Sequence, residues 1–423
     1  MMRFAQTLLA TTALAACSLF VTGQARAEEP AKPAPAVFSS EWATDIKAGV
    51  QIQGGVVFNT ASLSTGLNFG QLFTDRSNQA TLNQGAFTFG RTIDPKTTGF
   101  DLGFKFQAMY GSDSRYTHFL GVFDRATRNR YQFDITEANI TMRLPVLTEG
   151  GIDVKAGMYS TPLGFETIDP STNPFYSHSY IFNFGLPFKH TGLYTITHLN
   201  DVVDLHMGVD TGINTTFGAG HGDNNNAAAF LGGLGFNLMG GKLTVLALTH
   251  IGPENAVRAV GSIANKRQRY SNDILITYKP SETLSFTTEL NMIRDDLGFG
   301  NGAATAGGIA QYVSYAINDS WTLNGRAEIF RDDKNYFVGA FPTNLGPAQV
   351  LGGFPATVIG APGRNTTYGA LTLGATWKPK IADQISTMLI RPEIRYDQAL
   401  TSNKPFSGRS NALTIAADLV IGF

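Results

Sequence analysis

Charged side chains recur at every second position in two stretches of this chain. Arg326 and Glu328 flank Ala327, while Arg391, Glu393, Arg395 and Asp397 follow one another with single residues between them. Lys105, Lys155, Asp204 and His206 sit in the same way between apolar neighbours. Ionic groups of both signs in a row make and break no bonds, but along one surface they create a field that ions and polar solutes feel. Bond-making constellations are harder to find. His118, His178, His190, His198, His206, His221 and His250 show no metal spacing such as H-x-x-x-H on a helix, and His198 with His206 reads as a polar lining pair. His221-Gly222-Asp223-Asn224-Asn225-Asn226 lacks the ligand spacing and terminal Glu of a calcium loop, so it reads as a solvated tip. No Ser/His pair stands out as a nucleophile and base. Cys17 is the only cysteine, which excludes intramolecular disulfides and thiolate metal centres. These residues predict no catalytic group, no metal site and no cofactor.

Alternating charges need an element of period two to hold them. The final segment shows it best: Leu413, Ile415, Ala417, Leu419, Ile421 and Phe423 share one face, with Thr414, Ala416, Asp418 and Gly422 on the other. That is strand patterning, not helical patterning. Sixteen such segments can be counted, at 46–58, 83–90, 99–110, 131–144, 151–159, 188–199, 203–212, 229–238, 242–251, 270–278, 283–293, 306–317, 321–331, 368–378, 386–397 and 411–423. The fourth changes face near Thr136, which predicts a bulge. Pro392 removes a ladder donor and predicts irregularity in the fifteenth. Tight turns such as Leu199-Asn200-Asp201, Met239-Gly240-Gly241 and Asn318-Asp319-Ser320 alternate with long connections such as 160–187 and 332–367.

Composition narrows the class. Of 423 residues 43% are apolar and only 15% charged, yet no mature segment offers the roughly 20 apolar residues a spanning helix requires. Thirty Phe, 14 Tyr and 46 Gly argue against a disordered chain. With Lys+Arg 32 against Asp+Glu 33, no basic field for nucleic acid exists. In hydrocarbon only helices or closed barrels pair every backbone group, so a membrane reading forces a barrel, with short turns on one rim and long loops on the other. A soluble sheet with one solvated face would share the charge parity. Trp42, Trp321 and Trp377 all fall at strand ends on the short-turn rim, where an aromatic girdle belongs. The expected fold is an all-β, 16-stranded antiparallel transmembrane β-barrel of outer-membrane type, wide enough for a wet interior.

Residues 1–27 read as a cleaved signal peptide: Arg3, the apolar Leu8–Val21 stretch, and Ala25-Arg26-Ala27 before Glu28. Leu14-Ala15-Ala16-Cys17 offers a rival lipoprotein reading with Cys17 acylated. Residues 28–40, with Pro30, Pro33 and Pro35, read as a flexible linker, and 41–423 as the barrel.

The stretch from Gly157 to Gly192 resembles the signature of the OmpL-like outer-membrane β-barrel porins. Its matching positions are Thr161 (where the pattern has Ser), Pro162, Gly164 and Glu166; Phe175, Tyr176, Ser177, Ser179 and Tyr180; and His190, Thr191 and Gly192. Arg326 to Asp332 and Arg391 to Asp397 resemble later parts of it. By similarity to general porins, whose third outside loop folds inward, the 160–187 connection would form the constriction, with Glu166 and Asp169 facing Arg391 and Arg395 across the eyelet. Lys105, Lys155, Asp204, His206, Arg326, Glu328, Glu393 and Asp397 would line the lumen. Acidic candidates outnumber basic ones, which predicts weak cation preference.

The expected function is passive diffusion of small hydrophilic solutes or ions through a water-filled channel, with no catalysis. The alternative is a non-conducting barrel, structural or for surface recognition, with loops 160–187 and 332–367 filling the lumen. Expected partners are outer-membrane lipid, the barrel assembly machinery acting on the strand ending at Phe423, small solutes, and further copies in a homotrimer, with no nucleic acid. The expected location is the bacterial outer membrane.

Overall fold

The computed structural model describes residues 36–423 apart from 62–65, 95–96, 98, 124–129, 219–221, 299–301, 342–363 and 382–383. The signal peptide, Cys17 and most of the linker therefore lie outside the described residues, as do His221 and most of the apolar run expected in 332–367.

Sixteen strands form one closed antiparallel barrel. They are β1 Lys47–Asn59, β2 Gln79–Arg91, β3 Asp101–Gly111, β4 Gln132–Leu144, β5 Ile152–Ser160, β6 Lys189–His198, β7 Val203–Asp210, β8 Ala229–Leu238, β9 Leu243–Gly252, β10 Arg269–Tyr278, β11 Leu284–Asp295, β12 Ala304–Asn318, β13 Trp321–Asp332, β14 Thr366–Trp377, β15 Thr387–Ala399 and β16 Asn411–Gly422. Each pairs with its chain neighbours. The ring closes where β1 meets β16, from Gln51↔Gly422 to Asn59↔Thr414. Closure satisfies every strand edge, the condition for a sheet in hydrocarbon.

Burial is inverted relative to a soluble sheet. On β13 the apolar Leu323 and Ile329 face outward and are exposed, while Arg326 and Glu328 face inward and are buried. On β15 Ile394 and Tyr396 are exposed, against buried Arg395 and Asp397. Such an apolar belt around a closed barrel is the pattern of a transmembrane sheet and not of a soluble one.

The strand irregularities have local causes. Gln107 pairs with Glu137 and Ala108 with Ile135, leaving Thr136 as the bulged residue. A second bulge at Asn83, between Gln53↔Gln84 and Gly54↔Leu82, shifts the parity of β2, which begins at Gln79 rather than at 83. Pro392 pairs normally with Ala417 of β16, but the β14 ladder has no pairs between Gly374↔Glu393 and Trp377↔Ile390. Trp321 and Trp377 stack as a cross-strand pair on the outer rim, 5.7 Å apart. Trp42 departs from the girdle expectation. It lies in a short helix, α1 (Ser40–Thr44), and is buried. Its indole N–H donates to Leu102 O at 2.9 Å, and the Arg91 guanidinium lies 5.3 Å from the ring. A short helix precedes β1 at this rim, and the ring is covered by Phe38 at 5.2 Å and Phe104 at 6.4 Å instead of standing exposed at a strand end.

The long connections lie on one rim: L1 (60–78), L2 (112–131, with helix α2 at Ser114–Thr117), L3 (161–188), L4 (211–228), L5 (253–268), L6 (296–303), L7 (333–365) and L8 (400–410). Several fold inward. Phe69, Leu72 and Phe73 of L1, Tyr116 of α2, the L3 aromatics, Phe337 and Phe341 of L7 and Phe406 of L8 join wall residues in one hydrophobic cluster inside the barrel. Each fully buried large side chain there contributes about 1.5–3 kcal/mol.

Candidate functional site

Alternation on three adjacent strands builds a strip on the inner wall. Arg326 of β13 and Arg395 of β15 flank Thr372 of β14, and Glu328 and Asp397 flank Ala370. One row nearer the short turns, Gly374 neighbours Glu393. From Ala370 to Gly374 the middle strand thus presents only small side chains inward, a shallow trough edged by charge and bounded on the loop side by Tyr368. L3 lies in that trough. A side chain begun at Gly374 would meet Phe175 at 3.2 Å, and one at Gly55 of β1 would meet the Tyr176 ring at 2.6 Å, so both glycines are needed for the loop aromatics to approach the wall.

The charges hold the loop by its backbone. Tyr176 and Ser177 N–H groups donate to the Glu393 carboxylate at 2.9 and 3.2 Å. Tyr180 N–H donates to Glu328 at 2.7 Å and Ser179 N–H to Glu166 at 2.7 Å. Ser179 and Tyr180 lie at the start of a single π-helical turn, Ile181–Gly185, where N–H groups lack intrahelical partners and carboxylates supply them. In return, Arg391 donates to the carbonyls of Pro170 and Asn173 at 2.7 and 2.6 Å, Arg395 to His178 O at 2.5 Å, and Arg326 to Ser177 O at 2.9 Å. The start of the loop is tied to β11, with Phe165 N–H on Glu289 at 3.2 Å.

The four expected constriction residues therefore sit differently from the sequence expectation. Glu166 is buried and pairs with Arg326 at 2.5 Å, rather than facing Arg391 and Arg395 across a gap. Arg391 pairs with Asp418 at 2.5 Å and Arg395 with Asp397 at 2.8 Å. Asp169 accepts from Gln51 of β1 at 2.9 Å and from Ser171 within the loop. The reason is geometric: the loop lies directly on the arginines, so their charge is spent on contacts instead of on an opposed wall. Glu328, Glu393 and Asp397 face inward as expected, but L3 covers them.

The other side of the lumen is wet. Lys105 keeps 45% of its side chain exposed, 3.7 Å from Glu137. Together with Lys47, Lys155, Asp153 and Tyr194 it lines a cavity of about 760 Å³ along β1 to β6. Asp204 Oδ1 lies 2.7 Å from His198 Nδ1, beside a second cavity of about 920 Å³ at the short-turn rim. His206 is buried, with the Tyr194 hydroxyl at 2.5 Å. Two loop groups carry burial-driven shifts. Desolvation holds the His178 imidazole down to about 4, where it stacks on Phe182 at 4.4 Å. Burial of L2 Asp113 raises its carboxyl to about 6, despite donors from Asn83 and Gln84.

Residue-type reasoning passed over Asn83, which accepts from the Tyr176 hydroxyl at 2.8 Å and sits at the β2 bulge. Only the break in β2 parity marked that position. His190, Asp210 and His250 also come together, from three different strands, a grouping that no linear spacing reveals.

A family model described as "Putative beta-barrel porin-2, OmpL-like" matches residues 45–423. No curated protein matches the chain. Among solved structures, OmpF of Salmonella typhi, in complex with daunomycin, superposes with a TM-score of 0.55 at 9% identity, covering 89% of this chain and 97% of that one. The outer membrane channel DcaP of Acinetobacter baumannii gives 0.52 at 12% identity, with coverage of 89% and 97%. An anion-selective porin from Comamonas acidovorans gives 0.50 at 8% identity, with coverage of 89% and 99%.

Proposed function

The chain belongs to the OmpL-like β-barrel porin family of the bacterial outer membrane, and we propose that it passes small hydrophilic solutes or ions along the β1–β6 wall, past the exposed face of L3. The observation that carries this reading is the one-sided docking of L3. It neutralises the arginine strip and leaves Lys47, Lys105 and Lys155 as the wall cations that meet water. In the same cavity Arg91 is paired with Asp101 at 2.6 Å and with the exposed Asp45 at 3.5 Å, and Asp153 with Arg143 at 3.1 Å, which leaves three lysines against one exposed carboxylate. The charge a solute meets is then basic, so this reading replaces the cation preference expected from the total count with a weak anion preference. No bond is made or broken; selection rests on size and field.

Export by the N-terminal signal, lipid around the apolar belt, insertion through the assembly machinery acting on β16 and a homotrimeric state complete the proposal. Reversal potentials across a salt gradient in planar bilayers test it. Wild type should favour the anion and Lys105→Glu should move the potential toward the cation. A cation-selective wild type would overturn the charge assignment. The packed cluster of loop aromatics favours a second reading, a barrel that the loops close, and a silent bilayer containing folded protein would select it.

A further inference from the structure

The OmpL-like resemblance includes His190-Thr191-Gly192, yet the pore reading gives His190 no task. Its imidazole is fully buried at the loop-side end of β6. Nδ1 lies 3.2 Å from Asp210 Oδ2, at the end of β7, outside hydrogen-bonding geometry. His250 of β9 brings Nε2 to 3.0 Å from Asp210 Oδ1. It reaches diagonally across β8, where Ala229 stands opposite Asp210 and Leu231 opposite His250. One ligand atom from each residue lies within 4.8 Å of the others. Donor atoms of a tetrahedral centre with bonds of about 2.0–2.1 Å stand about 3.3 Å apart.

The surroundings are built as those of a metal ligand set. Gly212 N–H donates to Asp210 Oδ1 at 2.8 Å and fixes the carboxylate. The second nitrogen of each imidazole meets its own orienting group. His190 Nε2 is 3.1 Å from the Thr161 hydroxyl, and His250 Nδ1 is 3.8 Å from Glu254 Oε1. A carboxylate behind a ligating histidine sets its tautomer and raises its basicity. Glu254 is held by Ile213 N–H at 2.8 Å through its other oxygen, and its Oε1 and His250 Nδ1 are buried without hydrogen-bond partners. The nearby cation Arg269 is committed to Asp295 at 2.7 Å.

We propose that His190, Asp210 and His250 bind a zinc ion, with Glu254 orienting His250, and that the ion fastens L4 and L5 to the wall. Two imidazoles and one carboxylate suit zinc and exclude the all-oxygen preference of calcium or magnesium.

The test uses the full barrel in detergent, stripped with a chelator and titrated with zinc chloride alone. Calorimetry should give one ion per chain, and X-ray absorption a nitrogen/oxygen shell at about 2.0–2.1 Å with imidazole scattering. His190→Gln and His250→Gln should abolish that uptake, Glu254→Gln should weaken it about 10–100-fold, and His198→Gln should leave it intact. No uptake by wild type, uptake surviving the His190/His250 pair of changes, or loss with His198→Gln (chelation at the short-turn rim) overturns the site. If the glutamine variants do not fold, the wild-type absorption spectrum decides: a shell without imidazole contradicts the assignment.

Discussion

The two halves of the lumen wall carry the same kind of side chain and use it in opposite ways. Along β13 to β16, Arg326, Arg391 and Arg395 are almost wholly buried and tied to carboxylates and to L3 carbonyls. Along β1 to β6, Lys47, Lys105 and Lys155 border a water-accessible cavity. Inward orientation alone therefore does not make a charge part of a pore; what matters is whether another segment lies on it. A buried pair whose partner is removed leaves an uncompensated charge, whereas an exposed lysine loses little when changed.

The largest test of this contrast is Arg326→Ala. It leaves Glu166 of L3 without its cation and Glu328 with only Arg395 at 3.6 Å, and should cost about 3–5 kcal/mol in thermal unfolding while loosening the loop and raising single-channel conductance. Lys105→Ala should leave the melting temperature almost unmoved. Equal losses in the two variants would erase the distinction between the halves.

Acidification sharpens the comparison inside the inserted loops. The unfolded chain protonates His178 near 6.5, while the folded chain keeps it neutral down to about 4. Lowering the pH through that window thus favours unfolding, by roughly 3 kcal/mol. Asp113 acts the other way: folded, it holds its proton up to about 6 against 3.8 unfolded, so acid stabilises it over a similar span. Measured relative to wild type, Asp113→Asn should lose stability on acidification from pH 6 to 4, and His178→Gln should gain stability there. Parallel pH profiles for all three proteins would show that neither loop group is desolvated as described.

A smaller effect is expected at the contact between halves, where L3 reaches β1. Gly55→Val places a side chain against the Tyr176 ring and a strand carbonyl, and should destabilise by about 1–3 kcal/mol. Adding Tyr176→Ala should restore part of that loss in a double-mutant cycle. Additive losses would mean that the ring does not rest on Gly55.

Much of the barrel was legible because period-two alternation is a local property. Strand ends, the Thr136 bulge and the inward parity of Arg326, Glu393 and Asp397 all follow from neighbours within a few residues. Trp42 misled because its position at the rim was readable but the short helix that carries and buries it was not. The docking of L3 was hidden for a different reason. Arg391 and Pro170 are 221 positions apart, and nothing local to either says which of several inward charges the loop will cover. The small inward row Ala370, Thr372 and Gly374 was the nearest sequence signal, since it leaves a trough beside the charges. His190, Asp210 and His250 likewise meet only when β6, β7 and β9 are laid side by side.

Accessibility of single introduced cysteines measures the asymmetry most directly, with current through the barrel as the readout. Lys105→Cys and Thr372→Cys are both inward positions, one on the wet wall and one beneath L3. A charged thiol reagent added to the aqueous phase should change the current through Lys105→Cys and leave Thr372→Cys unmodified. Rapid modification at 372, with 105 silent, would place the path of solutes on the opposite wall and contradict the account.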